Sequence, residues 1–183
     1  MIKKAIILCG GTGSRLFPST ISSNKQLLPI YDKPMFFYPL SLLMLCGIKD
    51  YLFIVNPRQK KRFQQILKDE NDLGIKIKFI EQLRPNGIPE AFILGKKFIG
   101  NDSVALILGD NFFYGQSLTD KLEKSLTHNK GARIFLKNVK KPENFGVAKI
   151  INNKIKKIVE KPKKFISDYA ITGLYFFDNE VVN

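Results

Sequence analysis

Three short stretches carry residues whose types and spacing could do chemistry on an anion. The first is Leu8-Cys9-Gly10-Gly11-Thr12-Gly13-Ser14-Arg15-Leu16-Phe17-Pro18. Its glycines let main-chain N–H groups approach a phosphate closely, and the Arg15 guanidinium adds a permanent positive charge. The loop matches neither common phosphate motif: Leu16 stands where the dinucleotide fingerprint needs a third glycine, and no Gly-Lys-Ser/Thr closes a Walker loop. A tight turn after a strand would explain the glycines but gives no reason for Arg15. The second stretch, Lys25-Gln26-Leu27-Leu28-Pro29-Ile30-Tyr31-Asp32-Lys33-Pro34, sets charged residues on either side of an apolar patch that must pack. The third is Gly109-Asp110-Asn111, a carboxylate directly after an apolar run. Without a surrounding motif, such an aspartate is more often a hydrogen-bonded turn residue than a metal ligand.

Composition narrows the alternatives. Cys9 and Cys46 are too far apart for a C-x-x-C site and His128 is the single histidine, which excludes disulfide scaffolds, His-based zinc sites and Ser-His-Asp or Cys-His triads. Nothing near Cys9 except Arg15 would lower its pKa, so it does not read as a nucleophile, and Cys46 reads as core. The apolar run Ala5 to Cys9 is too short for a secretory signal, and Met35 to Cys46 is interrupted by Tyr38, Pro39 and Ser41, short of a membrane span. The expectation is a soluble protein of the reducing cytoplasm. With 183 residues, 44% of them apolar, it can bury a core as one domain. The formal charge of +14 asks for an anionic partner, and residues 130–164 hold twelve Lys or Arg against Glu143 and Glu160. Nucleic acid is disfavoured: the lysines alternate with Ile and Val as on a solvated strand face, and no nucleic-acid reader's motif is present.

The elements that must position these stretches read as strands and helices in alternation. Lys3 to Leu8 is a continuous apolar run after two lysines, as expected for a strand buried on both faces. A helix through Leu40, Leu43 and Met44 follows, with Pro39 in its early turns and Gly47 as its stop. Tyr51 to Val55 is a second buried strand. Pro57 to Lys68 reads as a basic amphipathic helix with Phe63, Ile66 and Leu67 inward, and Ile75 to Ile80 as a half-buried strand. After an Asn86-Gly87 turn, Pro89 and Glu90 open a helix whose inner face is Ala91, Leu94 and Phe98. Val104 to Leu108 is a strand, and Leu118, Leu122 and Leu126 mark a helix. Ala132 to Val139, Gly146 to Ile151, Ile155 to Glu160 and Tyr169 to Phe177 are strand-like. This alternation predicts an α/β fold: a mainly parallel sheet with helices on both faces and hairpins added late. Ligands of such sheets bind beyond the carboxyl ends of the strands, which singles out Cys9 to Pro18, Glu81 to Gly87, and Gly109 to Asn111.

The Gly-Gly-Thr-Gly-Ser-Arg-Leu loop followed by Lys-Gln-Leu-Leu-Pro-Ile-Tyr-Asp-Lys-Pro-Met closely resembles the sugar-phosphate nucleotidyltransferases, and within them the thymidylyltransferases acting on glucose 1-phosphate. The resemblance runs on in order through Glu81-Gln82, Asn86-Gly87, the segment Leu108 to Gly115, Phe145-Gly146-Val147, Glu160-Lys161-Pro162 and the segment Ile171 to Asp178. It implies a Rossmann-like nucleotidyltransferase fold and the reaction of dTTP with glucose 1-phosphate, giving dTDP-glucose and pyrophosphate with Mg²⁺. That product leads toward dTDP-rhamnose and related cell-surface sugars. Residues 1–115 would form the nucleotide-binding part and residues 130–183 the sugar-phosphate part of a single domain.

Carried over position by position, the resemblance implies that Leu8, Gly10, Gly11, Thr12, Gly13, Ser14, Arg15 and Gln26 hold the nucleotide. Arg15 and Lys25 would be catalytic, Lys25 also bridging to the sugar phosphate. Gln82 and Gly87 would read the thymine, with Pro85 on the nucleotide side, and Asp110 would bind nucleotide and Mg²⁺. Asn111, Gly146, Glu160, Lys161 and Thr172 would hold the sugar phosphate. An ionised phosphate attacking an anionic phosphorus needs charge neutralisation and alignment, not a general base, which agrees with the scarcity of histidine. Cys9, Asn24 and Pro89 depart from the family's usual alanine, serine and small helix residue. The resemblance also places the family's C-terminal third beyond Asn183, with a second Mg²⁺-binding aspartate, further sugar contacts and helices used in homo-oligomers. Without it, nucleotide binding is expected to survive, turnover to fall and exposed apolar surface to favour association.

Overall fold

The computed structural model describes residues 1–11, 13, 16–21, 23–69, 72–127, 130–152 and 154–182. In chain order the elements are β1 (Lys4–Cys9), the short pair β2 (Pro29–Ile30) and β3 (Lys33–Pro34), α1 (Phe37–Leu45), β4 (Asp50–Val55), α2 (Lys60–Ile66) and β5 (Lys76–Glu81). They continue with α3 (Ile88–Ile99), β6 (Val104–Leu108), α4 (Leu118–Leu126), β7 (Ala132–Asn138), β8 (Gly146–Ile151), β9 (Lys154–Glu160) and β10 (Tyr169–Phe177). Eight strands form one mixed sheet in the order β5-β4-β1-β6-β10-β8-β9, with β7 also pairing with β10. β5, β4, β1 and β6 are mutually parallel. β10 runs antiparallel to β6, β7 and β8, and β8–β9 is the late hairpin that the sequence leads one to expect.

Burial on both faces explains why β1 is apolar from Ala5 onward. Ala5, Ile7 and Cys9 face one layer with α1, Phe63 of α2 and Leu122 and Leu126 of α4, while Ile6 faces α3 on the other side. On the first face Phe36 stacks on Phe37 and meets Phe53 edge-on and Phe63 at a tilt, with ring centroids 4.4 to 5.8 Å apart. α1 ends where expected: Gly47 takes φ +79°, its N–H donates to the Met44 carbonyl and that of Ile48 to Leu43.

Two helix faces differ from the sequence reading. Near α2, Phe63 and Leu67 are buried but Ile66 is 41% exposed, because a 3₁₀ turn over Pro57–Gln59 precedes only seven α-helical residues and leaves a one-row contact. On α3 the buried line is Ala91, Phe92, Gly95 and Ile99, with Leu94 and Phe98 on its shoulder. The reason is Gly95: a Cβ there would stand 3.0 Å from Ile6 Cδ1 and 3.3 Å from Leu52 Cδ2, so the helix approaches the sheet along its glycine. Counting apolar side chains misses a contact made by the absence of one.

Candidate active site

Because β1, β4, β5 and β6 are parallel, Cys9, Val55, Glu81 and Leu108 end together, and the segments after them share one edge of the sheet. Backbone bonds carry the ladder a step further: the Gln82 N–H donates to the Val55 carbonyl at 2.9 Å and the Gly109 N–H to Leu8 at 3.0 Å. The three segments singled out from the sequence therefore meet.

Gly10 is buried, Gly11 exposed, and Gly13 takes φ +65°, a conformation that disfavours a side chain. The Gly13 carbonyl accepts from the Leu16 N–H and the Thr20 hydroxyl, closing the loop on itself. Thr12, Ser14 and Arg15, all assigned to the triphosphate by the resemblance, lie outside the described residues. Lys25 and Gln26 sit on a 3₁₀ turn, Lys25–Leu27, capped by Asn24, whose side chain accepts from the Gln26 N–H at 2.8 Å and donates to the Cys9 carbonyl at 3.0 Å. Asn24 is buried and ties the lysine-bearing turn to the end of β1, a positioning role hidden in the sequence behind its reading as a mere replacement of serine. The Gln26 Oε1 is buried with no hydrogen-bond partner among the described residues.

Lys25 Nζ and Asp110 Oδ2 form an ion pair at 2.7 Å, each side chain about a third exposed at 31% and 27%. The pair joins the second and third segments. Beside it, Gly109 is packed too closely for any larger residue: a Cβ would collide with Cys9 Sγ and lie 3.2 Å from Gln26 Cγ. Burial, with the Asp110 carboxylate adding to it, pushes the Cys9 thiol well above its ordinary pKa. Burial likewise raises Cys46 to about 11, with Glu123 contributing. Both thiols are therefore protonated and inert.

An open cleft of about 590 Å³ runs from this ion pair across β6 to the antiparallel half of the sheet. It is lined by Lys25, Asp110, Asn111, Gly146, Glu160, Lys161 and Thr172, bringing together every residue assigned to the sugar phosphate. Asn111 Nδ2 donates to the Thr172 carbonyl at 2.5 Å, and the Thr172 hydroxyl donates to the Phe135 carbonyl. Gly146 pairs across the hairpin with Glu160, whose Oε2 would lie 3.0 Å from a Cβ at that position. Lys161 has φ +42°, and its N–H donates to the Phe145 carbonyl, turning the Glu160-Lys161 pair toward the cleft mouth. Lys137 and Tyr175 also line the cleft and were not singled out from the sequence, since each sits in an ordinary strand pattern. Burial, then the Glu160 carboxylate, raises the Tyr175 pKa.

Gln82 is 3% exposed. Its Nε2 donates to Glu90 Oε2 at 2.5 Å, while Glu90 Oε1 accepts from Asn86 Nδ2 at 3.1 Å. These bonds, Gln82's first, hold the Glu90 carboxyl below its ordinary pKa. Pro85 and Gly87 are exposed in the loop so clamped, Gly87 with φ +96°. In the sequence Glu90 reads only as an acid in the first turn of a helix, so its contact with Gln82 is not visible there.

A magnesium ion suits Asp110: the cation takes one or two carboxylates and completes its shell with substrate phosphates and water. Among the described residues no three His, Cys, Asp or Glu groups cluster. No helix among them is long and apolar enough to cross a membrane.

Against known families, residues 4–183 match the one described as nucleotidyl transferase. The chain is 51% identical over 180 residues to a glucose-1-phosphate thymidylyltransferase of Neisseria meningitidis, covering 98% of this chain and 62% of that protein. It is 45% identical over 181 residues to the enzyme of the same name from Mycolicibacterium smegmatis, with the same coverage. A crystal structure described as a glucose-1-phosphate thymidylyltransferase from Bacillus anthracis, in complex with sucrose, superposes with a TM-score of 0.90 at 39% identity, covering 98% of this chain and 72% of that one. A UDP-glucose pyrophosphorylase shares the fold, with a TM-score of 0.80 at 23% identity. The chain thus spans about 62% of the length of the curated relatives it matches. With a family match running nearly end to end and relatives close to half identical, the chain belongs to the nucleotidyl transferase family.

Proposed function

We propose that this chain binds dTTP and glucose 1-phosphate on the two sides of the Lys25–Asp110 pair and transfers the thymidylyl group, giving dTDP-glucose and pyrophosphate. The supporting observation is the single cleft that holds that pair together with Asn111, Gly146, Glu160, Lys161 and Thr172. A phosphate oxygen of the sugar phosphate attacks the α-phosphorus of dTTP, the bond from that phosphorus to the bridging oxygen breaks, and pyrophosphate leaves. The nucleophile is already ionised, so no proton has to be moved and no general base is required. Lys25 brings its ammonium between the two anions, and Lys161 pairs with the sugar phosphate while Glu160 accepts from sugar hydroxyls. Asp110 would hold Mg²⁺, which supplies neutralisation of charge on the phosphates when bound. The setting is the cytoplasm, the assembly a homo-oligomer, and the product a precursor of dTDP-rhamnose and related sugars.

Two measurements test this reading. Calorimetric titration of the chain with dTTP and Mg²⁺ is expected to show binding, and adding glucose 1-phosphate is expected to release pyrophosphate. Asp110→Asn should weaken the Mg²⁺ dependence of both while the thermal transition stays in place. No heat with dTTP, or metal dependence unaltered in the variant, would overturn the assignment.

A further inference from the structure

The Gln82 amide is held in one of its two orientations by a group that can only accept. An ionised carboxylate has no proton to donate, so the face that Gln82 turns to Glu90 must be its NH₂. Glu90 is itself kept ionised by the bonds from Gln82 and Asn86. The consequence falls on the other end of the amide. No donor among the described residues meets Gln82 Oε1, and this oxygen lies directly over Gly10, where even a Cβ would collide with it. Gln82 thus presents a fixed acceptor at the sheet edge, beside the glycine loop.

We infer that Glu90 is a specificity-determining positioning residue: by locking the Gln82 amide with its oxygen toward Gly10 and the glycine loop, it selects nucleotides whose base offers an imide N–H. Thymine and uracil carry a donor at N3, which Oε1 accepts. Cytosine carries a lone pair there and meets an oxygen it cannot bond. The inference rests on the proposed nucleotide site, and it assigns the choice of base to a residue that does not itself touch the nucleotide. Removing the charge while keeping the shape should therefore release the amide. In Glu90→Gln the neighbour can accept or donate, so either orientation of Gln82 is satisfied, and cytosine N3 gains an NH₂ partner.

The test is titration of wild type, Glu90→Gln and Glu90→Lys with dTTP, dUTP and dCTP in the presence of Mg²⁺. In Glu90→Gln, dCTP binding should strengthen roughly three- to tenfold, the range one neutral hydrogen bond supplies. Affinity for dTTP and dUTP should change by about twofold or less, the cost of sharing two orientations. Glu90→Lys places a donor that can face only the amide oxygen, and the preference for dTTP over dCTP should fall further. A purely structural clamp would weaken all three nucleotides together, and that result, or an unchanged dTTP-to-dCTP ratio in Glu90→Gln, overturns the inference. If wild type binds none of the three, the nucleotide site itself is wrong. If wild type prefers dTTP and the ratio ignores Glu90, only the positioning role is lost.

Discussion

Asp110 and Lys25 neutralise one another at 2.7 Å, and each is assigned a different ion to hold. A lysine bonded to the carboxylate occupies one of the oxygens a metal would use, so on the proposed function nucleotide and metal would bind as linked events, phosphates drawing Lys25 away and leaving Asp110 its full charge. In Lys25→Met the carboxylate is unopposed from the start. Mn²⁺ binding without nucleotide, followed by the electron paramagnetic resonance of the free ion, should tighten roughly two- to fivefold, since a partly exposed pair is worth at most about 1 kcal/mol. Pyrophosphate release should fall about 10²- to 10³-fold in the same variant, because a charge aimed at the transferring phosphoryl group is gone. The two effects have opposite signs. Weaker Mn²⁺ binding in Lys25→Met would mean that the pair organises Asp110 for the metal instead of competing with it.

At the scale of elements, β10 does the most to shape the antiparallel side of the cleft. Its pairing with β7 shifts register between Ile171 and Tyr175, and Gly173 within the shift takes φ +77°. A Cβ at Gly173 would lie 2.5 Å from Asn111 Nδ2 and 2.7 Å from Leu108 Cδ1, so the irregularity lets the Thr172 carbonyl reach Asn111. Gly173→Ala should cost about 1–2 kcal/mol from the left-handed backbone alone, read as a lowered thermal midpoint. It should also weaken glucose 1-phosphate binding more than dTTP binding, because Asn111 is pushed from its place. Equal weakening of both ligands would show the irregularity to be scaffold only. Sequence patterning shows β10 as a strand and Gly173 inside a family motif, but not the register shift, which is a property of two strands read against each other. The buried strands β1, β4 and β6 were legible for the opposite reason: burial on both faces writes itself into one continuous apolar run. The line of contact on α3 was not legible, because Gly95 contributes by having no side chain. The roles of Asn24 and Glu90 were hidden similarly, since what each does depends on partners fifteen and eight residues away, Cys9 and Gln82.

For the whole molecule the sheet changes direction once, from parallel to antiparallel at β6 and β10, and the cleft lies across that change. The parallel half offers loops at its carboxyl edge and the antiparallel half offers the β8–β9 hairpin, so two anionic ligands can be held from opposite sides. The field around the chain is strongly positive, with a net charge of +14. Much of it stands on the outer strand β9, where Lys154, Lys156 and Lys157 are exposed, as is Lys149 on β8. Among the described residues no ion pair is seen at these four lysines. They also blunt the edge of the sheet against pairing with another chain, a role that needs charge but no ligand. Both roles predict different outcomes for Lys154→Gln, Lys156→Gln and Lys157→Gln combined. If the lysines steer substrates, dTTP association by stopped flow should slow severalfold at low salt with dissociation unchanged. The difference should fade as ionic strength approaches about 0.15 M, where the Debye length is near 8 Å. The same variant retains uncharged polar side chains on β9, so any rise in self-association by sedimentation would report the edge role independently. A slower association that persists undiminished at high salt would rule out steering, because only a direct contact escapes screening.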